Sequence, residues 1–281
     1  MLRLVLALSI LLGAVSAYGG SRVSSTSGMT ARQIEDLGEI VEPDEILAGK
    51  ARASVSVRNE FTSNAELTGR HGSNDYIFLP TFQAGYNLPL APHWSLDFEG
   101  KIEFGLYANH DERAFAGYSV KTTLDYHPFT NGPRFYTAIE PYRYDSFDTG
   151  DRITQAVGMT VGADYGRAFN AGRSLFFSGY SYTGTLADPT IDTRNAHRVV
   201  IGVAHQFRQD LTAQLFYAWQ YSDFINYDRH DSKHVVGMNL IYQLSQAWFT
   251  TLTGSWVDND SDVNSATFQS ASGALGVQYQ F

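Results

Sequence analysis

Charged side chains occupy alternate positions in residues 97–103, and this spacing suggests a shared surface. Asp97, Glu99, Lys101 and Glu103 would lie on one face of a β-strand, because strand side chains alternate between two faces. The intervening positions of residues 94–106 are apolar or glycine. Carboxylates interrupted by an ammonium group can form ion pairs across strands or attract ions from water. We therefore predict a strand with one charged face and one apolar face.

Charged residues in other alternating segments extend this face over several strands. They comprise four cations and seven anions, and Lys121 would lie near residues 97–103 if consecutive strands pair. Two interpretations remain open: ion pairs that fill a small interior, or a charged lining in contact with water. The candidates are Arg58, Glu60, Asp97, Glu99, Lys101, Glu103, Lys121, Asp125, Glu140, Asp164 and Arg198.

Motifs for covalent or metal chemistry are missing from the sequence. It has no G-x-S-x-G segment, and no serine can be placed beside a histidine from the sequence alone. His230 and His234 lack the helical context of a zinc pair, so we expect rim histidines. Residues 258–262 resemble a fragment of a calcium loop without its glycine and distant glutamate, so we expect a solvated loop. We therefore predict a protein without catalytic, cofactor-binding or metal-binding residues, and not an enzyme.

Composition excludes several classes of protein. The chain has 281 residues, a formal net charge of −9 and no cysteine, which excludes a disulfide scaffold and a thiolate metal site. Charged residues make up only 17 % and aromatic residues 14 %, whereas disordered chains are rich in charge and poor in aromatics. The acidic balance argues against a nucleic-acid partner.

The first 50 residues differ from the rest of the chain. Residues 1–17 combine one positive charge with a short apolar run and small residues at the end, which predicts a cleaved secretory signal peptide. Residues 18–50 contain a polar linker and then Ile34, Leu37 and Val41 on one face of a predicted short helix. This segment could plug a pore, lie beside a barrel, bind a partner, or be a loosely held extension.

From residue 51 onward the apolar pattern has a period of two, which predicts strands. Connections from odd to even strands are mostly long and those from even to odd strands mostly turn-sized, with residues 127–134 as a long exception. The uncharged stretch 234–256 is interpreted as two strands, because alternation continues on both sides of residues 245–246. We predict twelve strands, at about residues 51–62, 75–87, 94–108, 113–126, 135–146, 153–168, 175–186, 195–207, 211–223, 232–244, 247–258 and 267–281.

The last strand places Leu275, Val277, Tyr279 and Phe281 on one face. This pattern resembles the terminal assembly signal of bacterial outer-membrane β-barrels, with Tyr279 and Phe281 as its aromatic positions. The resemblance implies an all-β fold, a single antiparallel transmembrane barrel over residues 51–281, inserted by the barrel-assembly machinery into outer-membrane lipid. Aromatic residues near strand ends, Tyr107 and Tyr144 among them, would form two girdles at the membrane surfaces.

Twelve-stranded outer-membrane barrels include porins, autotransporter translocators and a phospholipase, so the strand count does not select an activity. We expect a porin-like channel for passive diffusion of small hydrophilic solutes. An excess of interior carboxylates would favour cations or neutral solutes. The alternatives are a non-conducting structural or adhesive barrel with binding in its loops, and a lipid hydrolase, which needs a serine close to a histidine.

Overall fold

The computed structural model describes residues 50–64, 73–129 and 132–281. The predicted signal peptide (1–17) and the predicted helix and possible plug within residues 18–50 lie outside them, Lys50 excepted. The described residues form a closed antiparallel β-barrel, as predicted. Its strands are β1 (Lys50–Thr62), β2 (Asp75–Ala91), β3 (Trp94–Tyr107), β4 (Phe115–Tyr126), β5 (Arg134–Ser146), β6 (Arg152–Phe169), β7 (Ser174–Asp188), β8 (Arg194–Arg208), β9 (Leu211–Phe224), β10 (Arg229–Gln243), β11 (Trp248–Ser261) and β12 (Phe268–Gln280).

The predicted strand count is confirmed, while several strands extend beyond their predicted ends. β10 begins at Arg229 and β11 ends at Ser261, because pairing continues to Asp231 opposite Ser261. Residues 259–261, which lie beyond the predicted end of β11, therefore belong to this strand. The uncharged stretch 234–256 forms β10 and β11, as predicted. Across the described ranges, no helix has the length and apolar character needed to cross a membrane.

The barrel closes where β1 meets β12. Their register runs from Ser54 opposite Gln280 to Thr62 opposite Ser272. Beyond it, the Phe281 amide donates to the Ala53 carbonyl over 2.9 Å. Closure leaves neither strand with an unpaired edge. A sheet in hydrocarbon must have no such edge, because no water is present to hydrogen-bond its free backbone groups.

The two ends of the barrel differ. Connections from odd to even strands carry all three short 3₁₀ turns of the described residues, at Asp111–Arg113, Thr190–Asp192 and Asn264–Ala266. We call this end the loop rim. The opposite end, the turn rim, has short connections such as residues 209–210 and also the predicted long exception between β4 and β5. Short turns at one end and longer loops at the other are the organisation of outer-membrane barrels.

The outer wall is apolar and bordered by aromatic residues. Trp94 stacks on Tyr126 with ring centroids 4.5 Å apart near the turn rim, and Phe61 lies 5.2 Å from Tyr76 near the loop rim. The prediction that Tyr107 and Tyr144 belong to the girdles is wrong. Both face inward, because Tyr107 lies opposite Ile77, and Tyr144 opposite Gly117, on the interior face.

Candidate functional site: the barrel interior

The side chains predicted to line a pore all occupy inward positions. On β3, Phe98 and Ile102 are 41 % and 42 % exposed on the outer wall, whereas Glu103 is only 1 % exposed. The register carries this inward face round the barrel, with Glu99 opposite Lys121 of β4, for example. The same register gives inward positions to Arg58, Glu60, Asp97, Glu99, Lys101, Glu103, Lys121, Asp125, Glu140, Asp164 and Arg198.

An arginine of β1 joins this face near the turn rim. Arg52 donates from Nη1 and Nη2 to the two carboxylate oxygens of Asp97, over 2.7 and 2.6 Å. Its Nη2 also donates to Glu99 over 2.9 Å. One guanidinium group thus offsets part of two carboxylate charges, across the intervening strand β2.

A second set of contacts surrounds Glu103 in the middle of β3. The Tyr144 hydroxyl donates to Glu103 over 2.7 Å, and the Lys101 ammonium lies 3.4 Å from the same carboxylate. Arg58 lies 3.3 Å from Glu60, which is 2 % exposed. Burial is tolerable for these carboxylates because cations and donors compensate their loss of water.

Arg134 of β5 connects two further carboxylates. Its Nη2 lies 2.6 Å from Asp125 and its Nη1 lies 3.7 Å from Asp164. The arginine was not among the predicted residues, because it stands at the first position of β5, where no alternation precedes it. β1 to β6 thus form a densely ion-paired part of the interior, which we call the charged wall.

The opposite part of the interior carries mostly cations. Arg198 and Lys233 are 9 % and 6 % exposed and face inward on β8 and β10. Nearer the loop rim, the guanidinium carbons of Arg194 and Arg229 lie 5.5 and 4.3 Å from the centroid of the Phe224 ring. We call the inward face of β8 to β10 the basic wall. β9 lies six strands from β3 in either direction round the barrel, so the two walls face each other.

The full register corrects the predicted charge balance. The sequence predicted four inward cations and seven inward anions. Among the described side chains in regular register, the structure has nine inward cations and nine inward anions. The inward cations are Arg52, Arg58, Lys101, Lys121, Arg134, Arg194, Arg198, Arg229 and Lys233. The inward anions are Glu60, Asp75, Asp97, Glu99, Glu103, Asp125, Glu140, Asp164 and Asp231.

The interior is not polar throughout, in contrast to the expected lining. Phe216 and Ala218 of β9 pack with Val235, Val257 and Phe268 in a buried cluster on the inward face. Four residues of this apolar patch, Phe216, Ala218, Val235 and Val257, lie on the turn-rim side of Arg198 and Lys233 in the register. A separate cavity of about 920 Å³ lies along β1 to β6 and is lined by outward residues such as Phe82 and Ile102 and by inward residues such as Gln83 and Lys101.

The histidines of the predicted rim pair lie on the outer wall beside tyrosines. Tyr217 is 2.7 Å from His234 and Tyr221 is 3.2 Å from His230, measured between hydroxyl oxygen and ring nitrogen. In the part of the chain that the structure describes, no three histidine or carboxylate side chains are grouped so that they could hold a metal ion.

The structure also brings together a serine and a histidine that sequence analysis did not connect. Ser73 Oγ lies 2.8 Å from His110 Nε2, and His110 Nδ1 lies 2.7 Å from Asp75 Oδ2. All three stand at the loop rim, where β2 begins and β3 ends. The antiparallel pairing predicted for consecutive strands was the signal that places these strand ends together.

Comparisons with known proteins agree with the fold. The closed twelve-stranded antiparallel architecture, with its apolar outer wall, is that of outer-membrane β-barrels. Residues 185–281 match the family model described as "Putative beta-barrel porin 2". An outer-membrane channel from Pseudomonas putida F1 is similar, with 8 % identity, a TM-score of 0.59, and 86 % of this chain and 100 % of that chain covered. The β domain of the Bordetella autotransporter BrkA has 11 % identity, a TM-score of 0.51, and coverage of 84 % and 100 %. A search of curated proteins by sequence finds no match.

Proposed function

We propose that the barrel is a channel for passive diffusion of small hydrophilic solutes. The observation that carries the proposal is the inward face itself, where nine cations and nine anions line a closed barrel with an apolar outer wall. The passage involves no covalent step. Its selectivity depends on the width and fixed charge of the interior.

Neutral or zwitterionic solutes fit this interior better than simple cations. Equal numbers of fixed charges remove the basis for the cation preference expected from the sequence. The charges are also separated, since the basic wall holds four of the cations but only Asp231 among the anions. A solute with separated positive and negative groups would interact favourably with both walls at once.

A non-conducting structural barrel is the second candidate, and burial favours it. Glu103 and Glu60 are 1 % and 2 % exposed, and Val257 of the apolar patch is 1 % exposed. Side chains this deeply buried on an inward face indicate that parts of the interior are filled. In this case the ion pairs would stabilise the barrel, and the loops would carry any binding.

Single-channel conductance separates the two candidates. The chain lacking residues 1–17 would be refolded and inserted in a planar bilayer, with a matched form that also lacks residues 18–49. We expect ohmic steps with weak ion selectivity, and steps only in the shorter form if residues 18–49 act as a plug. Silence of both forms, with folding shown by altered gel mobility on heating, would reject the channel.

The export and assembly of the chain are part of the same proposal. Removal of residues 1–17 after secretion would leave the barrel sequence for insertion into outer-membrane lipid. Tyr279 and Phe281 stand in contact at the turn rim, with ring centroids 4.7 Å apart. This outward-facing aromatic pair would be the part of β12 that the assembly machinery recognises.

A further inference from the structure

The loop rim contains three side chains in the spatial order of a nucleophile, a base and an orienting acid. Ser73 precedes β2, Asp75 begins it, and His110 follows β3. The pairing of β2 with β3 continues to the rim, where the Ala108 amide donates to the Tyr76 carbonyl over 2.9 Å. The two strand ends therefore hold the serine and the histidine in fixed register.

The hydrogen bonds determine which ring nitrogen of His110 carries the proton. A carboxylate can only accept, so His110 Nδ1, at 2.7 Å from Asp75 Oδ2, is the donor in that contact. In the neutral ring Nε2 then has no hydrogen and accepts from the Ser73 hydroxyl at 2.8 Å. This is the tautomer that a serine nucleophile needs in its base.

Asp75 is held in place by its other carboxylate oxygen. The Tyr76 amide donates to Oδ1 over 2.7 Å, and the Asn109 amide donates to it over 3.0 Å. The carboxylate is fully buried, with 0 % of the residue exposed. Oδ1 thus fixes the orientation of the Asp75 carboxylate, and Oδ2 orients the His110 ring. Asp75 therefore acts as a positioning residue.

An apolar surface lies directly below these groups. Ile77, two residues after Asp75 on the same face of β2, packs with Leu79 and Phe115 on the inside of the barrel. Asp75 and Ile77 therefore face the interior, while the lipid-facing position between them is taken by Tyr76, which is 63 % exposed. Leu79 and Phe115 are only 4 % and 8 % exposed, so a short acyl group would contact this cluster at its Ile77 edge, with the alcohol portion directed towards the loops.

We propose that Ser73, His110 and Asp75 form a hydrolytic site for short-chain esters of water-soluble alcohols. Ser73 Oγ forms a bond to the ester carbonyl carbon as His110 Nε2 takes the hydroxyl proton, and Asp75 stabilises the resulting imidazolium. The carbon–oxygen ester bond breaks, and the alcohol leaves with the proton from His110. Water then attacks the acyl-serine through the same base, releasing the carboxylic acid and restoring Ser73. This site is independent of conduction.

A serine-directed fluorophosphonate and p-nitrophenyl butyrate test the site in the refolded full chain. We expect one covalent adduct, located on Ser73 by peptide mapping, and ester hydrolysis that Ser73→Ala lowers by at least about a hundredfold. Ser174→Ala is the matched control. Ser174 also lies 2.8 Å from a histidine, but the His205 ring contacts Phe207 and is bonded through Nδ1.

Further variants separate catalysis from a structural clamp between the two loop-rim segments. Asp75→Asn should lower kcat much more than it raises KM, and Ser73→Ala should keep the conductance and thermal stability of the original chain. An adduct that persists in folded Ser73→Ala, or hydrolysis that Ser73→Ala leaves unchanged, would overturn the proposal. Hydrolysis of dioleoyl phosphatidylcholine vesicles without hydrolysis of the short ester would overturn the substrate class.

Discussion

Arg52 and Asp97 are joined by two hydrogen bonds across the inside of the barrel, although strand β2 separates their strands. The contact is possible because Gly85 of β2, which lies opposite Arg52 and Glu99, has no side chain in the path of the guanidinium group. A Cβ at Gly85 would lie only 2.7 Å from the guanidinium carbon of Arg52. This one interior contact therefore depends on residues of three neighbouring strands, β1, β2 and β3.

Replacement of Arg52 by glutamine should destabilise the barrel. Asp97 and Glu99 would lose their shared cation in a partly buried position, at an expected cost of about 1–3 kcal/mol in the free energy of unfolding. Urea unfolding in detergent micelles measures this. Arg208→Gln is the control, because its pair with Asp210 is exposed at the turn rim, and little change is expected there. Equal effects of both variants would contradict the assigned role of Arg52.

Neutralising one wall at a time should shift ion selectivity in opposite directions. Lys233→Gln removes a cation from the basic wall and should raise the cation-to-anion permeability ratio by about twofold, while Asp97→Asn should lower it. Reversal potentials in a salt gradient give the ratio. Arg143→Gln changes an outward-facing arginine that is 50 % exposed and should leave the ratio unchanged. If Lys233→Gln and Arg143→Gln behave alike, the basic wall does not line the conducting path.

A methyl group at Gly237 should strain the apolar patch. The Phe216 ring lies so close to Gly237 that an added Cβ would overlap it, so the ring must move. We expect Gly237→Ala to cost about 1–3 kcal/mol of unfolding free energy. Gly254→Ala is the matched control, since nothing lies within 4 Å of its added Cβ. The explanation fails if both variants unfold at the same urea concentration.

Loss of the terminal aromatic ring should impair assembly more than stability. Phe281→Ala removes the ring that contacts Tyr279, and we expect a severalfold smaller fraction of folded barrel in membranes. The fraction is measured as the band whose gel mobility changes on heating. Phe169→Ala removes another outward aromatic residue near the turn rim, 50 % exposed, and should have little effect. Equal losses in the two variants would indicate a general need for aromatic residues and no specific signal.

Local alternation was sufficient to predict the barrel, its strand count and the inward position of residues such as Arg58, Glu103 and Arg198. This prediction succeeded because a strand with one face in lipid must alternate apolar and polar residues. That pattern is visible in consecutive residues of the sequence. The outward placement of Val277 and Phe281 follows from the same rule. Strand ends were less predictable, since pairing outside the apolar band needs no alternation.

Tertiary structure alone decided the properties that depend on register between strands. Five cations and only two anions joined the interior, so the predicted acidic excess became an even balance; they are Arg52, Arg134, Arg194, Arg229 and Lys233, and Asp75 and Asp231. The register of β5 turns Tyr144 inward, where its partner Gly117 leaves room for the ring and the hydroxyl reaches Glu103. Ser73 and His110 are 37 positions apart, and only the meeting of β2 and β3 at the loop rim brings their side chains within hydrogen-bond distance. Such contacts arise from the arrangement of whole strands, which no single stretch of sequence contains.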